Sequence, residues 1–239
     1  MKSLEGQRVV IIGGSSGIGL ATAKGAVALG AEVIIAARTS KKLERARQEI
    51  GHSVETSVLD MSQEDQVQAF FEQVGPFDHL TTPGGVTSGG SILSIETAVA
   101  QQSFANKFWG QYFAAKYGAP YIRPGGSIVL ISGQLSQRPS AGAVIIGTVN
   151  SAVEGLGRAL AVELAPIRVN ICSPGLIDTP RHEAQGRQKA VEFFASYAQK
   201  LPVGRVGQPE DVAETILYLM NNKFTTGSTL FVDGGFTLR

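Results

Sequence analysis

The feature that most constrains this chain is a strict alternation. Short β-like apolar runs are followed by longer helical patterns along its whole length. Arg8 to Ile12 reads as a buried strand and Gly17 to Leu29 as a helix. Strand-like runs recur at 32–36, 54–59, 79–82, 127–132, 168–172 and 229–232. Helical patterns lie between them at 41–50, 63–74, 97–117, 146–164 and 209–220. Strands separated by helices need crossover connections, which give a mostly parallel sheet with helices on both faces. The expected class is α/β: a doubly wound parallel sheet of the Rossmann type, in three layers and one domain over 1–239. On such sheets ligands bind at the carboxyl ends of the strands.

Bulk properties narrow the function. The 239 residues are 43% hydrophobic, enough for a substantial core. Lysine and arginine total 21 against 20 acidic residues, a net charge of +1. That balance supplies no electrostatic case for nucleic acid or an anionic membrane as partner. Cys172 is the single cysteine, so an internal disulfide and a cysteine metal cluster are ruled out. No apolar run is long enough to cross a bilayer, and the first seven residues do not resemble a signal peptide. The expectation is a cytoplasmic protein with a small-molecule substrate and no metal.

Between the first strand and first helix stands Gly13-Gly14-Ser15-Ser16-Gly17-Ile18-Gly19. Glycines there permit a tight turn and a close approach of backbone to a pyrophosphate, and the helix N-terminus presents free N–H groups to it. A bare glycine-rich turn is the alternative, but the strand–loop–helix context is the one a dinucleotide needs. The second strand ends in Ala36-Ala37-Arg38-Thr39-Ser40, with Lys41 and Lys42 following. A carboxylate here would bind a ribose 2′-hydroxyl; an arginine fork instead suits a 2′-phosphate. This favours NADP(H) over NAD(H), against a merely solvated basic turn.

These motifs resemble the short-chain dehydrogenase/reductase family. The glycine loop matches the family pattern with Ile12 where threonine is usual. Asp60 matches the acid that holds the adenine amino group, although an aspartate before a helix is also a common N-cap. Thr82-Pro83-Gly84-Gly85 stands where the family shows Asn-Asn-Ala-Gly. Ser151-Ala152-Val153-Glu154-Gly155-Leu156, Arg168-Val169-Asn170 and Ser173 to Pro180 are also similar, without gaps. The resemblance implies cofactor contacts from Gly13, Ser15, Ser16, Gly17, Ile18, Gly19, Arg38, Thr39, Asp60, Met61, Gly84, Gly85, Asn150, Pro174, Gly175, Ile177 and Thr179.

The family's catalytic tetrad is Asn, Ser, Tyr and Lys. Counting from the matching stretches places Tyr at Ile146, Lys at Asn150 and Ser at Gly133, with Asn106 as the surviving member. Ile146 carries no proton, and Asn150 carries no charge to stabilise a phenolate. Losing a positioned general acid typically forfeits roughly 100- to 10,000-fold in rate. The pair Tyr112 and Lys116 fits Tyr-x-x-x-Lys by letter but lies on the wrong helix, where packing or a subunit contact is expected. Candidate replacements are Ser132, for substrate contact, and His182, whose neutral-range imidazole suits proton transfer. Lys107 adjoins Asn106 but points about 100° away on a regular helix. Residues 181–201 match the family's substrate lid, with Phe193, Phe194 and Tyr197 giving it an apolar character.

The helices at 97–117 and 146–164 match the pair that forms the family's dimer interface, so a homodimer or homotetramer is implied. Small residues on the second, among them Gly147, Gly155 and Gly157, serve either that interface or packing on the sheet. Two functions stand against each other: an NADP(H)-dependent oxidoreductase acting on a carbonyl or alcohol through a non-standard centre, and an NADP(H)-binding pseudoenzyme acting as sensor or partner protein. A lyase- or dehalogenase-like reuse of the fold fits less well, because such an enzyme needs no phosphate-binding loop.

Overall fold

The computed structural model describes residues 3–238 apart from His52, and the side chains of all of these but 183–185. Seven strands form one parallel sheet in the order β3-β2-β1-β4-β5-β6-β7. They are β1 (Arg8–Ile12), β2 (Glu32–Ala37), β3 (Glu55–Val58), β4 (Phe77–Thr81), β5 (Ile122–Ile131), β6 (Arg168–Pro174) and β7 (Thr229–Val232). The helices are α1 (Gly17–Ala28), α2 (Ser40–Ile50), α3 (Glu64–Val74), α4 (Thr97–Ser103), α5 (Gly110–Gly118), α6 (Val144–Glu163), α7 (Arg187–Ala198) and α8 (Pro209–Asn221). None of the described helices is long and apolar enough to cross a membrane.

Strand β1 shows why its run reads Val-Val-Ile-Ile without polar interruption. Val10 and Ile12 enter the core beneath α3, α5 and α6, with Phe71, Ala114 and Val153. Val9 and Ile11 enter the opposite core, with Ala23, Leu43 and Ile216 from α1, α2 and α8. A strand covered on both faces has no solvated side on which to place polar residues. β1 pairs with β2 on one side and β4 on the other. The chain therefore winds in opposite senses from this point, and the crevice at the carboxyl ends of β1 and β4 is the expected ligand site.

The region expected to be one long helix over 97–117 is interrupted. Phe104–Trp109 forms a π-helical segment between α4 and α5. Widened turns of this kind shift the register of the residues they contain and are frequent at functional sites. Helix α7 lies within the segment that sequence patterning left without regular structure.

The sheet ends are tied by side chains. Thr82 donates to Gln111 Oε1 at 2.6 Å, and the same oxygen accepts from the Ile131 N–H at 2.8 Å. Gln111 Nε2 returns a bond to the Ile131 carbonyl at 3.0 Å. One buried glutamine on α5 thus ties the end of β4 to β5, in a segment where the family's asparagines are absent.

Candidate active site

A cleft of about 650 Å³ runs across the carboxyl ends of the strands. At one end the turn after β1 needs its glycines. Gly13 has φ +102°, and a Cβ there would strike the Gly84 backbone. Gly19 packs beneath the loop, where a Cβ would overlap the Gly13 carbonyl. It supports the turn from below and does not line the cleft. Helix α1 opens at Gly17, and the N-capping Ser16 makes no side-chain cap bond. The first N–H groups of a helix lack intrahelical partners, so this end offers unpaired donors and a positive dipole. A dinucleotide's phosphates fit that donor set.

The remaining expected cofactor residues fall along the same wall. Arg38, Thr39 and Lys42 line the far end, followed by Asp60 and Met61, then Gly84 and Gly85, and Pro174, Gly175, Ile177 and Thr179 opposite. Asp60 is not the cap of α3, whose N-cap is Gln63. Its Oδ1 accepts from the Ser62 N–H at 3.0 Å and the Ser62 hydroxyl at 2.8 Å.

The other end holds the surprise. Asn106 borders the cleft, but its side-chain oxygen accepts from Gln102 Nε2 at 2.9 Å on the outer side of the helix. The side chain that enters the site from the π-helical segment is Lys107. Its ammonium donates to the Ser132 carbonyl at 2.7 Å and to Asn150 Oδ1 at 2.7 Å. Lys107, expected to point away on a regular helix, reaches the site because the helix is π-helical there. Burial pushes the Lys107 amine down to about 7; the Arg181 cation acts in the same direction and the Glu154 carboxylate opposes them.

Ile146, Asn150 and Glu154 follow one another at four-residue spacing, and so share one face of α6. Ile146 lines the cleft. Asn150 is engaged at both ends of its amide, since Nδ2 donates to the Gly133 carbonyl at 3.2 Å. Glu154, 3% exposed, is surrounded by donors. Ser132 reaches it at 2.8 Å, Gln137 Nε2 at 3.2 Å, and Ser136 also bonds to it.

Ser132, expected at the substrate, does line the cleft. Its hydroxyl is turned inward and donates its one proton to Glu154 at 2.8 Å, the buried carboxylate being a stronger acceptor than the Asn150 carbonyl at 3.1 Å. Its main-chain carbonyl holds Lys107. Gly133 stands at the family's serine position, where a Cβ would lie 2.8 Å from Asn150 Nδ2 and force that amide to shift.

His182 lines the cleft and meets Phe194 edge-on at 5.5 Å. Burial, then the neighbouring Arg181 charge, lowers its pKa below the usual imidazole value. Tyr197 accepts from Gln134 Nε2 at 2.8 Å and stacks on Phe236 at 5.8 Å. Burial raises its phenol pKa. Tyr112 packs edge-on against Trp109 at 5.4 Å, and Lys116 pairs with Glu64 at 2.8 Å. That pair lies outside the cleft lining. Sequence reasoning passed over Lys107 and did not single out Arg181, which reaches the Thr87 carbonyl at 2.9 Å.

The whole length of the chain matches known proteins. The family model described as enoyl-(acyl carrier protein) reductase matches residues 13–237. The chain is a short-chain dehydrogenase/reductase. Within this family it is 34% identical over 250 residues to the short-chain dehydrogenase/reductase ATR9 of Stachybotrys chlorohalonatus, covering 98% of each chain. It is 32% identical over 248 residues to L-xylulose reductase of Bos taurus, covering 98% of this chain and 97% of that one. A small-chain dehydrogenase crystallised with NADPH superposes with a TM-score of 0.85 at 34% identity, over 100% of both chains. Its similar proteins are named reductases and dehydrogenases, which places the chain among oxidoreductases.

Proposed function

We propose that this short-chain dehydrogenase/reductase is an NADP(H)-dependent oxidoreductase that interconverts a carbonyl and an alcohol on a small molecule through a non-standard catalytic centre. One observation carries the reading. A single cleft joins the glycine loop and Arg38 at one end to Ile146, Asn150 and Lys107 at the other. The NADPH complex of a similar structure and the carbonyl-reducing names of relatives such as L-xylulose reductase support it.

A reduced nicotinamide, when bound, supplies a hydride to the substrate carbon. The chain's own residues do the rest. Ser15, Ser16, Gly17 and Ile18 bind the phosphates through the α1 N-terminus. Arg38 and Thr39 take the 2′-phosphate, and Asp60 and Met61 border the adenine. Gly84, Gly85, Pro174, Gly175, Ile177 and Thr179 border the nicotinamide end. Residues 181–201, carrying His182, Phe194 and Tyr197, form the substrate lid and exclude water. Helices α5 and α6, with the π-helical segment before α5, form the contact of a homodimer or homotetramer; Trp109, the last residue of that segment, is 45% exposed.

A second reading has one observation of its own. Ile146 puts a hydrocarbon where the family's acid belongs, as in an NADP(H)-binding pseudoenzyme that serves as sensor or partner protein. Titration with NADPH and NADH, followed by turnover over a panel of carbonyls, separates the two. The oxidoreductase reading expects tighter NADPH binding and its oxidation by at least one carbonyl. Binding without turnover of any carbonyl, imine or enone would move the case to the pseudoenzyme.

A further inference from the structure

We propose that Lys107 is the catalytic acid of this site, protonating the substrate oxygen in place of the phenol that Ile146 cannot supply. The proposal rests on the oxidoreductase reading above and names the residue that makes it chemically complete.

The geometry comes first. Lys107 is 9% exposed yet lines the cleft, and two of its three N–H bonds are fixed, to the Ser132 carbonyl and to Asn150 Oδ1, each at 2.7 Å. A protonated lysine has three donors and no acceptor, so one N–H remains for an oxygen in the cleft. The positive charge missing from position 150 is thus restored within hydrogen-bond reach of that position, delivered from a different helix. Asn150 no longer needs a charge; it needs an amide oxygen that holds an ammonium. Gly133 belongs to the same set. A side chain there would press on Asn150 Nδ2 and dislodge the amide from Lys107.

Electrostatics follow. The charged groups facing Lys107 are Glu154 on α6 and Arg181 in the segment after β6. His182 and Tyr197 are further titratable groups on the cleft wall at this end; Asp60, Arg38 and Lys42 line the opposite end. Burial brings the amine to about 7, which matches a proton donor to a solution near neutrality. In reduction, the hydride and its electron pair go to the carbonyl carbon, and the C=O π pair moves to oxygen. That oxygen takes one proton from the Lys107 ammonium, leaving a neutral amine, which regains a proton from water. The reduced nicotinamide is the reductant, and it ends oxidised. Oxidation of an alcohol runs the same steps backwards, with the amine as base.

The test uses the full-length protein with 13C-labelled lysine side chains, the variants Lys107→Met and Glu154→Gln, and three readouts. NMR titration without cofactor is expected to show one lysine with a midpoint near 7 that is missing from Lys107→Met. NADPH affinity, by fluorescence, is expected to survive Lys107→Met. Its kcat for reduction is expected to fall by about 100- to 10,000-fold. Wild-type reduction should decline by about tenfold per pH unit above the same midpoint. Glu154→Gln removes the charge that holds the proton, so the midpoint and the kinetic limb should move down together; this holds even where Lys107→Met does not fold. A lysine midpoint near the ordinary value of about 10.4, or a kinetic limb that ignores Glu154→Gln, overturns the assignment. Turnover undiminished by Lys107→Met sinks Lys107 while leaving the oxidoreductase standing. A wild type that binds NADPH and reduces nothing overturns both.

Discussion

Asn150 and Lys107 constrain each other, and that changes what a naive restoration would do. Asn150→Lys alone would place a second ammonium beside the first. Two unit charges about 4 Å apart at an effective dielectric near 20 repel by roughly 4 kcal/mol. We expect Asn150→Lys to lower the Tm and to depress the Lys107 midpoint further, and Lys107→Asn to rescue it. A double-mutant cycle on the two positions measures the coupling by thermal melts. At the other end of the cleft, Arg38→Asp is expected to weaken NADPH by about 10- to 100-fold, as for loss of a charged hydrogen bond, and to gain NADH; titrations with both cofactors check it. The lining of that end of the cleft was legible at this scale because each residue's position follows from one loop or strand end. Lys107 was not, because its role depends on a local change of helical period and on a partner 43 residues away.

The elements themselves were largely legible. Strand β1 falls where its apolar run placed it, since a strand covered on both faces leaves an uninterrupted signature, and the half-buried edge strand β7 also lies where its run placed it. Helix α7 was missed because its apolar residues pack on a small local cluster of Ala190, Phe194 and Val206 rather than on the main core. The π-helical segment has no sequence signature comparable to a capping residue. The small-residue stripe on α6 resolves into separate uses. Gly157 faces the sheet, where a Cβ would lie 2.5 Å from Ile171 Cδ1, and Gly147 faces the Leu135 carbonyl. Gly155 meets nothing within 4 Å. We expect Gly157→Val to cost about 1–3 kcal/mol by overpacking, and Gly155→Ala to be neutral or stabilising in a helix interior; denaturant melts of the two variants decide it.

For the whole molecule, a buried histidine contributes to the loss of stability in acid. His79 is a buried residue of β4, with Nδ1 at 2.8 Å from Ser127 Oγ and Nε2 at 2.7 Å from Gln7 Oε1. Burial drives its pKa down to about 4. Below the ordinary histidine value the unfolded chain binds a proton that the folded chain refuses. Stability is therefore whole above about 6.5 and falls as pH drops toward 4, by on the order of 3 kcal/mol. His79→Gln should flatten that slope in Tm against pH. At the same scale, Trp109→Glu is expected to shift the proposed dimer or tetramer toward monomer in sedimentation.

The most direct test of the account is NADPH oxidation by the wild-type protein across a carbonyl panel, beside the double variant Ile146→Tyr/Asn150→Lys. The account predicts turnover by the wild type, and less by the double variant, whose new lysine confronts Lys107. A silent wild type beside an active double variant would contradict it, and would leave a cofactor-binding protein whose pocket has kept its shape and lost its chemistry.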